Sequence, residues 1–141
     1  MSSNPIFPCL WFNGNAKEAA AYYCTIFPNS SIVSENPFVV IVELNHTKFM
    51  CLNGGPEYQF NAAISFVITC ETQLEIDTYW MALSQGGQEG KCGWVTDKYG
   101  ISWQVVPSIL GKLMGDPQKA PQVMYAFMQM TKFDIAKLLQ A

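Results

Sequence analysis

Arginine is absent from the 141-residue sequence, and histidine occurs only once, as His46. The eight cationic residues are all lysine, and eleven carboxylates leave a formal net charge of −3. Nucleic-acid backbones are bound by basic surfaces, and bidentate phosphate binding uses the guanidinium group, so both functions are disfavoured. A single imidazole also disfavours zinc, nickel and iron sites, which usually combine several imidazoles or thiolates. We therefore expect no nucleic-acid partner and no bound metal.

Long apolar runs and closely spaced cysteine pairs are also missing. The longest uninterrupted apolar stretches, such as residues 38–42, are far shorter than the roughly 20 residues that cross a bilayer. Residues 1–5 lack the basic and apolar segments of a secretory leader. The five cysteines, at positions 9, 24, 51, 70 and 92, form no Cys-x-x-Cys pair, which favours reduced and mostly buried thiols. These features predict no membrane partner and a cytoplasmic location.

Half of the residues are apolar and 13% are charged, a composition that predicts one folded domain over residues 1–141. Residues 6–12 form an apolar run that indicates a buried strand. Asn15 and Glu18 have the spacing of a capping box, and apolar residues at helical spacing follow them. Three further strands are predicted over residues 31–35, 38–44 and 47–53. The first half of the chain therefore has the order β-α-β-β-β.

The second half repeats this order. Residues 64–70 are rich in strand formers, Thr72 and Glu75 form a second capping box, and Gly86-Gly87 ends the predicted helix. Residues 88–96 and 100–106 supply the later strands. The shift that places Thr72 on Asn15 superimposes the two halves, which indicates duplication of one supersecondary module. We predict modules over residues 5–56 and 60–107, followed by a helical tail over residues 108–141 that packs on the sheet or on a partner subunit.

Short strings in both modules resemble the PhnB-like family, whose members are often described as 3-demethylubiquinone-9 3-methyltransferase. The strings are Leu10-Trp11-Phe12, Glu43-Leu44-Asn45, Phe49-Met50-Cys51-Leu52-Asn53-Gly54-Gly55-Pro56, Phe60-Asn61-Ala62-Ala63-Ile64-Ser65-Phe66, Cys92-Gly93-Trp94, Asp97-Lys98-Tyr99-Gly100 and Trp103-Gln104-Val105-Val106-Pro107. This family belongs to the vicinal oxygen chelate superfamily of glyoxalase, bleomycin resistance protein and dihydroxybiphenyl dioxygenase. The resemblance implies an α+β fold in which two βαβββ modules form a glyoxalase-like domain. It also implies a homodimer.

The family description suggests that the chain binds S-adenosylmethionine, and the superfamily suggests that it binds a metal. The residues present bear on both suggestions. Common methyltransferases bind S-adenosylmethionine through a glycine-rich first turn in a parallel α/β sheet, a pattern that the glycine cluster at residues 53–56 does not match. In metal-dependent relatives the ligands lie on the first and last strands of each module. Here those positions hold Pro8, Ser65 and Gln104, with a first-module counterpart among Met50, Cys51 and Leu52. Since these donors are weak ligands for divalent ions, we expect no metal and no other cofactor.

Several residues are candidates for a ligand-binding cleft. Ser65 and Thr69 alternate with apolar residues, so the partly polar side of this strand should face the cleft and the apolar side should meet the helix. Leu10 and Phe12 of the repeat-related strand are expected to join the polar side. Gln104 has two interpretations: it binds a ligand carbonyl or hydroxyl, or it is a core glutamine bonded to the backbone or to Ser65.

The remaining candidates also have structural alternatives. Trp94 and Trp103 either form a ligand wall or belong to the core, which is the commoner role of large aromatic residues in strands. Cys51 has no neighbouring group in the sequence to lower its pKa, which favours packing over nucleophilic chemistry. His46 is expected to be a solvated loop residue, and Asp97 to stabilise a turn.

The leading hypothesis is a cytoplasmic protein that binds a small molecule without a catalytic metal. One alternative is an enzyme of the superfamily, either a metal-assisted lyase or oxygenase or the methyltransferase of the family description. Another is a purely structural or partner-binding dimer whose cleft is filled by its own side chains. The predicted ligand-binding residues are Leu10, Phe12, Cys51, Ser65, Trp94, Trp103 and Gln104.

Overall fold

The structure is a computed structural model that describes residues 4–141. Residues 1–3, which belong to the stretch where we expect no secretory leader, lie outside the described residues. The chain divides into two compact units, the first ending at Phe60 and the second running from Asn61 to Ala141. In the described part of the chain, no helix is long and apolar enough to span a membrane.

The first unit contains one helix and a four-stranded sheet. Its elements are β1 (Cys9–Phe12), α1 (Ala16–Ile26), β2 (Ser31–Glu35), β3 (Val39–Leu44) and β4 (Thr47–Asn53). The strand order is β1-β4-β3-β2, with β1 parallel to β4 and the other pairs antiparallel. Asn45 and His46 form the two-residue turn between β3 and β4, both with positive φ, and His46 is exposed as expected. This order confirms the predicted βαβββ module.

The start of α1 differs from the sequence prediction. The Asn15 side chain makes no capping hydrogen bond, so the predicted capping box is wrong at this helix. Instead, Asn53 Oδ1 at the end of β4 accepts a hydrogen bond from the Ala16 backbone N–H at 2.9 Å. The cap is therefore supplied by a residue that is distant in sequence, and it connects the helix to the sheet that the helix covers.

The second unit repeats the arrangement. Its module consists of β5 (Ser65–Cys70), α2 (Gln73–Ser84), β6 (Gln88–Glu89), β7 (Trp94–Thr96) and β8 (Ser102–Pro107), with the order β5-β8-β7-β6. The capping box of Thr72 and Glu75 is present in both directions, as predicted. The strand expected over residues 88–96 is interrupted between Glu89 and Trp94, where Gly93 adopts a φ of +81°. The two four-stranded sheets confirm the glyoxalase-like α+β fold.

The tail is helical, as predicted, and packs on its own unit. It contains α3 (Ile109–Met114), α4 (Ala120–Met128) and α5 (Ile135–Gln140). Gln73 in the first turn of α2 donates through Nε2 to the Phe133 carbonyl and accepts at Oε1 from the Ile135 N–H, each at 2.9 Å. The Gly93 N–H donates to the Thr131 carbonyl at 2.8 Å, and Phe133 is buried. These bonds attach the end of the chain to α2 and to the loop before β7.

The sequence shift that aligns the helices of the two modules does not align the ends of their first strands. The helices begin at Ala16 and Gln73, which the sequence repeat aligns correctly. The same alignment places Cys70, the last residue of β5, on Asn13, whereas β1 ends earlier, at Phe12. The connection between strand and helix is thus one residue longer in the first module. Because successive side chains of a strand point to opposite faces, this difference exchanges the faces predicted for β1.

Candidate functional site

The two faces of the second sheet differ in polarity. Phe66, Trp103 and Val95 are cross-strand neighbours, and with Cys70 and Val105 they form an apolar face against α2. This confirms that the apolar side of β5 meets the helix. The opposite face, which we call the polar face, consists of Ser65, Val67, Thr69, Trp94, Thr96, Ser102, Gln104 and Val106.

Two rows of side chains cross the polar face from strand to strand. In one row, Ser65 is paired with Ser102 and Ser102 with Thr96, so three hydroxyl groups lie side by side. In the next row, Gln104 lies between Val67 and Trp94. An amide flanked by an aliphatic and an aromatic side chain combines hydrogen bonding with apolar contact area, which is typical of small-molecule sites.

Gln104 and Ser65 are joined directly. Gln104 Nε2 donates to Ser65 Oγ at 2.9 Å, and both side chains are half-buried. This is the bond that the core interpretation of Gln104 anticipated. It occupies one amide hydrogen, and no described residue forms a hydrogen bond with Gln104 Oε1. The pair therefore retains an amide acceptor and, at Ser65, a hydroxyl hydrogen.

The two tryptophan candidates lie on opposite faces. Trp94 is half-buried on the polar face beside Gln104. Trp103 is 4% exposed on the apolar face, where its ring lies 5.4 Å from that of Phe66. Its Nε1 donates to Asp97 Oδ2 at 2.8 Å, while Asp97 Oδ1 accepts from the N–H groups of Tyr99 and Ile101. Trp103 is thus a core residue, and Asp97 stabilises its turn as expected.

The first-module candidates are buried in the core of the first unit. Leu10 pairs with Cys51 and Cys51 with Val40, and all three side chains are buried on the face that α1 covers. Phe12 is buried on the same face, with its ring 5.2 Å from that of Phe60. The structure therefore corrects the expectation that Leu10 and Phe12 join the partly polar side. The cause is the extra residue between β1 and α1.

Cys51 lies within this core as well. Burial, followed by the neighbouring Cys9 and Cys24 thiols, raises the pKa of the Cys51 thiol to about 12. A thiol with such a pKa carries very little thiolate near neutral pH, and the thiolate is the nucleophile and metal ligand. This environment supports the packing role over a chemical one.

Sequence reasoning missed the aromatic cluster that Trp11 forms in the first unit. Trp11 Nε1 donates to the Gly55 carbonyl at 2.9 Å, and its ring meets Tyr58 edge-on with centroids 4.9 Å apart. The ring also occupies the space that a side chain at position 54 would need. The glycine pair after β4 was a usable signal, because two adjacent glycines often mark the close approach of another group.

A divalent metal does not fit the donors of the polar face. In the described part of the chain, no three His, Cys, Asp or Glu side chains are close enough to hold a metal ion. Ser65, Ser102, Thr96 and Gln104 are neutral donors, and β5, β7 and β8 contain no charged residue. Divalent ions in oxygen sites are held mainly by carboxylates, so this face lacks the charge that would offset their desolvation.

The sequence model of the family described as 3-demethylubiquinone-9 3-methyltransferase matches residues 4–106. A search of the curated proteins finds no match. Among solved structures, a Bacillus cereus protein described as a putative 3-demethylubiquinone-9 3-methyltransferase, PhnB protein, is 32% identical, with a TM-score of 0.69. The match covers 74% of this chain and 100% of the Bacillus chain.

Two more distant structures share the fold. A protein from Pseudomonas aeruginosa is 21% identical over 74% of this chain and 98% of its own, with a TM-score of 0.61. The fosfomycin resistance protein FosX from Listeria monocytogenes, solved with Mn(II) and sulfate, is 11% identical with a TM-score of 0.60. That match covers 82% of this chain and 98% of FosX.

Proposed function

Because the chain belongs to the family described as 3-demethylubiquinone-9 3-methyltransferase, the PhnB-like branch of the vicinal oxygen chelate superfamily, we propose that it binds a small neutral organic molecule without a catalytic metal. The binding surface is the polar face of the second sheet. The observation that carries this proposal is the hydrogen bond between Gln104 and Ser65, which orients both groups and leaves an acceptor and a donor available.

The chemistry of the pair defines the ligand class. Gln104 Oε1 accepts from an O–H or N–H of the ligand, and the Ser65 hydroxyl donates to a carbonyl or hydroxyl oxygen. Val67 and Trp94, which flank Gln104 in its row, supply apolar contact for a ring or an alkyl group. A neutral molecule that carries adjacent hydroxyl and carbonyl groups on a ring or an alkyl chain satisfies all three features.

The lack of charge in β5, β7 and β8 supports a neutral ligand. A bound ion loses hydration, and a site normally offsets this loss with an opposite charge or several charge-assisted hydrogen bonds. The same reasoning disfavours S-adenosylmethionine, a sulfonium cation, and with it the methyl transfer of the family description. It also disfavours a metal-assisted lyase or oxygenase.

The proposal extends to assembly and location. We expect a homodimer, because β5 is an edge strand of its sheet and Ile64, immediately before it, is 72% exposed. Unpaired strand edges and exposed apolar side chains are common features of interfaces between subunits. All five cysteines are free, which is typical of a reducing compartment such as the cytoplasm.

Native mass spectrometry tests the proposal directly. The protein is purified without chelators or metal-affinity resin, and the spectrum reports the subunit count, bound metal and any copurified organic mass. The expected species is a dimer without metal. A divalent ion retained by each chain would contradict the metal-free function and support the lyase or oxygenase alternative.

Ligand binding is then measured by saturation-transfer NMR against neutral fragments that carry hydroxyl and carbonyl groups. We expect Gln104→Met, which keeps the side-chain volume but loses the hydrogen bonds, to weaken binding by about tenfold. Gln59→Met, at an exposed position in the first unit, is the matched control and should bind normally. If Gln104→Met alters thermal stability but no fragment affinity, Gln104 is structural and the polar face is not the site.

A further inference from the structure

We propose that the C-terminal tail builds a second binding site, separate from the polar face, for a small zwitterion of the amino-acid class. A cavity of about 660 Å³ lies between α2, the end of α4 and α5. Its charged lining residues are Asp77, Lys132, Asp134 and Lys137, and its other polar lining residues are Gln73, Gln129 and Thr131. The volume falls within the range of small-molecule sites, roughly 300–1,000 Å³.

This cavity depends on the part of the chain that follows the family match. The family match ends at residue 106, and only Gln73 and Asp77 among the polar lining residues precede that point. The Bacillus cereus relative is matched over its whole length by 74% of this chain. The site is therefore an addition to the βαβββ modules, and the proposal does not depend on the function of the polar face.

One pair of charges in the cavity is already compensated. Lys132 Nζ lies 2.8 Å from Asp77 Oδ1, which also accepts from Gln73 Nε2 at 3.0 Å. These bonds, first that of Lys132 and then that of Gln73, lower the pKa of the Asp77 carboxyl. Gln73 donates its other amide hydrogen to the Phe133 carbonyl and accepts at Oε1 from the Ile135 N–H. The charges of Lys132 and Asp77 are therefore paired with each other, in a contact that stays partly exposed to solvent.

The lining also holds a carboxylate and an ammonium group, those of Asp134 and Lys137, that have no ionic partner among the described residues. Asp134 Oδ1 accepts from the Lys137 backbone N–H at 3.1 Å, which fixes the carboxylate at the start of α5. Over residues 4–141, neither Asp134 nor Lys137 forms a salt bridge. A ligand that carries both an ammonium and a carboxylate would compensate both side chains at once.

The charge balance selects a zwitterion over a simple ion. Two lysines and two aspartates line the cavity, so their formal charges cancel. A carboxylate without an ammonium would meet Lys137 but would also be repelled by Asp134, and a simple amine would have the reverse difficulty. Ala126 and Met130 complete the lining and provide an apolar surface for the side chain of an amino acid.

Isothermal titration calorimetry with the full chain and each of the twenty common amino acids tests the site. We expect at least one amino acid to bind with a Kd below about 10 mM. Its N-acetyl form, which lacks the ammonium, and its amide form, which lacks the carboxylate, should each bind at least about tenfold more weakly. If no amino acid binds, or if either blocked form binds equally well, the proposal is overturned.

Two variants and two matched controls locate the binding. Lys137→Gln and Asp134→Asn should weaken the affinity by at least about tenfold, and asparagine retains the cap of α5. Lys119→Gln and Asp116→Asn remove one exposed ammonium and one carboxylate outside the cavity, where Asp116 Oδ1 accepts from the Gln118 N–H at 2.9 Å. These controls, and Gln104→Met on the polar face, should bind normally. An equal loss of affinity in the controls would show that amino acids bind to surface charges without specificity, and it would contradict the proposed site.

Discussion

Asn53 caps a helix that begins 37 residues earlier in the chain, because its Oδ1 accepts the Ala16 N–H at 2.9 Å. Its Nδ2 also donates to the Pro37 carbonyl at 3.2 Å, so one side chain connects the end of β4 to α1 and to the turn before β3. The glycines that follow it continue this connection, since the Gly54 N–H donates to the Phe12 carbonyl at 2.9 Å.

Asn53→Ala should therefore lower the free energy of unfolding by about 1 kcal/mol, the usual value for a helix cap. Asn15→Ala, at the residue before α1 in sequence, should change it by much less, because the Asn15 side chain makes no capping bond. Urea denaturation of both variants provides the measurement. A larger effect of Asn15→Ala would show that the local capping box forms in solution.

Trp103 and Trp94 should respond differently to replacement by phenylalanine. Trp103→Phe removes the Nε1–H that bonds the buried Asp97 Oδ2, and the loss should cost about 1–3 kcal/mol. Trp94→Phe keeps an aromatic ring at a half-buried position and should have a smaller effect on stability. Thermal unfolding distinguishes the two residues. Equal losses would contradict the assignment of Trp103 to the core and Trp94 to the polar face.

Gly93→Ala tests the contact between the tail and the second sheet. An added Cβ would lie 2.5 Å from the Phe133 ring and 2.8 Å from the Val105 carbonyl, at a φ of +81°. Gly14→Ala is the control, because φ is +85° there but no atom outside the adjacent residues lies within 4 Å of the added Cβ. The left-handed conformation alone costs roughly 1–2 kcal/mol, whereas the collision should add about 1–3 kcal/mol at Gly93. Equal destabilisation of the two variants would show that Phe133 does not pack there.

The Cys51 thiol should make stability fall in alkaline solution. Burial raises its pKa from 9.0 to about 12, so the folded state favours the protonated thiol. The resulting stabilisation is complete below pH 9 and is lost as the pH rises through about 12. The free energy of unfolding should consequently decrease less steeply across this range in Cys51→Ala than in the unchanged protein. Identical slopes would contradict a raised pKa of Cys51 in the folded state.

The two helix caps show where local sequence is sufficient. Thr72 and Glu75 are close in sequence and complete their capping box within a single turn, so their spacing predicts the bonds correctly. Asn15 and Glu18 have the same spacing, but α1 is capped from β4. No local pattern carries this information, because the partner arrives only when the sheet has formed.

The features of the candidate site that depend on local sequence were also predictable. Alternation within β5 correctly separates Ser65 and Thr69 from the apolar side, and the bond between Gln104 and Ser65 is one of the alternatives that the sequence suggested. The cross-strand row of Ser65, Ser102 and Thr96 was not predictable, because it depends on the register between three strands. The aromatic cluster of Trp11 likewise requires the course of the loop after β4.

The sequence by itself determined the two βαβββ modules and the helical tail, since these follow from apolar periodicity, turn residues and an internal repeat. Only the tertiary structure decided which way β1 faces. The sequence repeat aligns the two helices and places Cys70, the last residue of β5, on Asn13. In the structure, however, β1 ends one residue earlier, at Phe12. One additional loop residue reverses the faces of a strand without changing its apolar pattern, which places Leu10 and Phe12 under α1. The docking of the tail on Gln73 was decided in the same way, because its hydrogen bonds join positions that are far apart in the sequence.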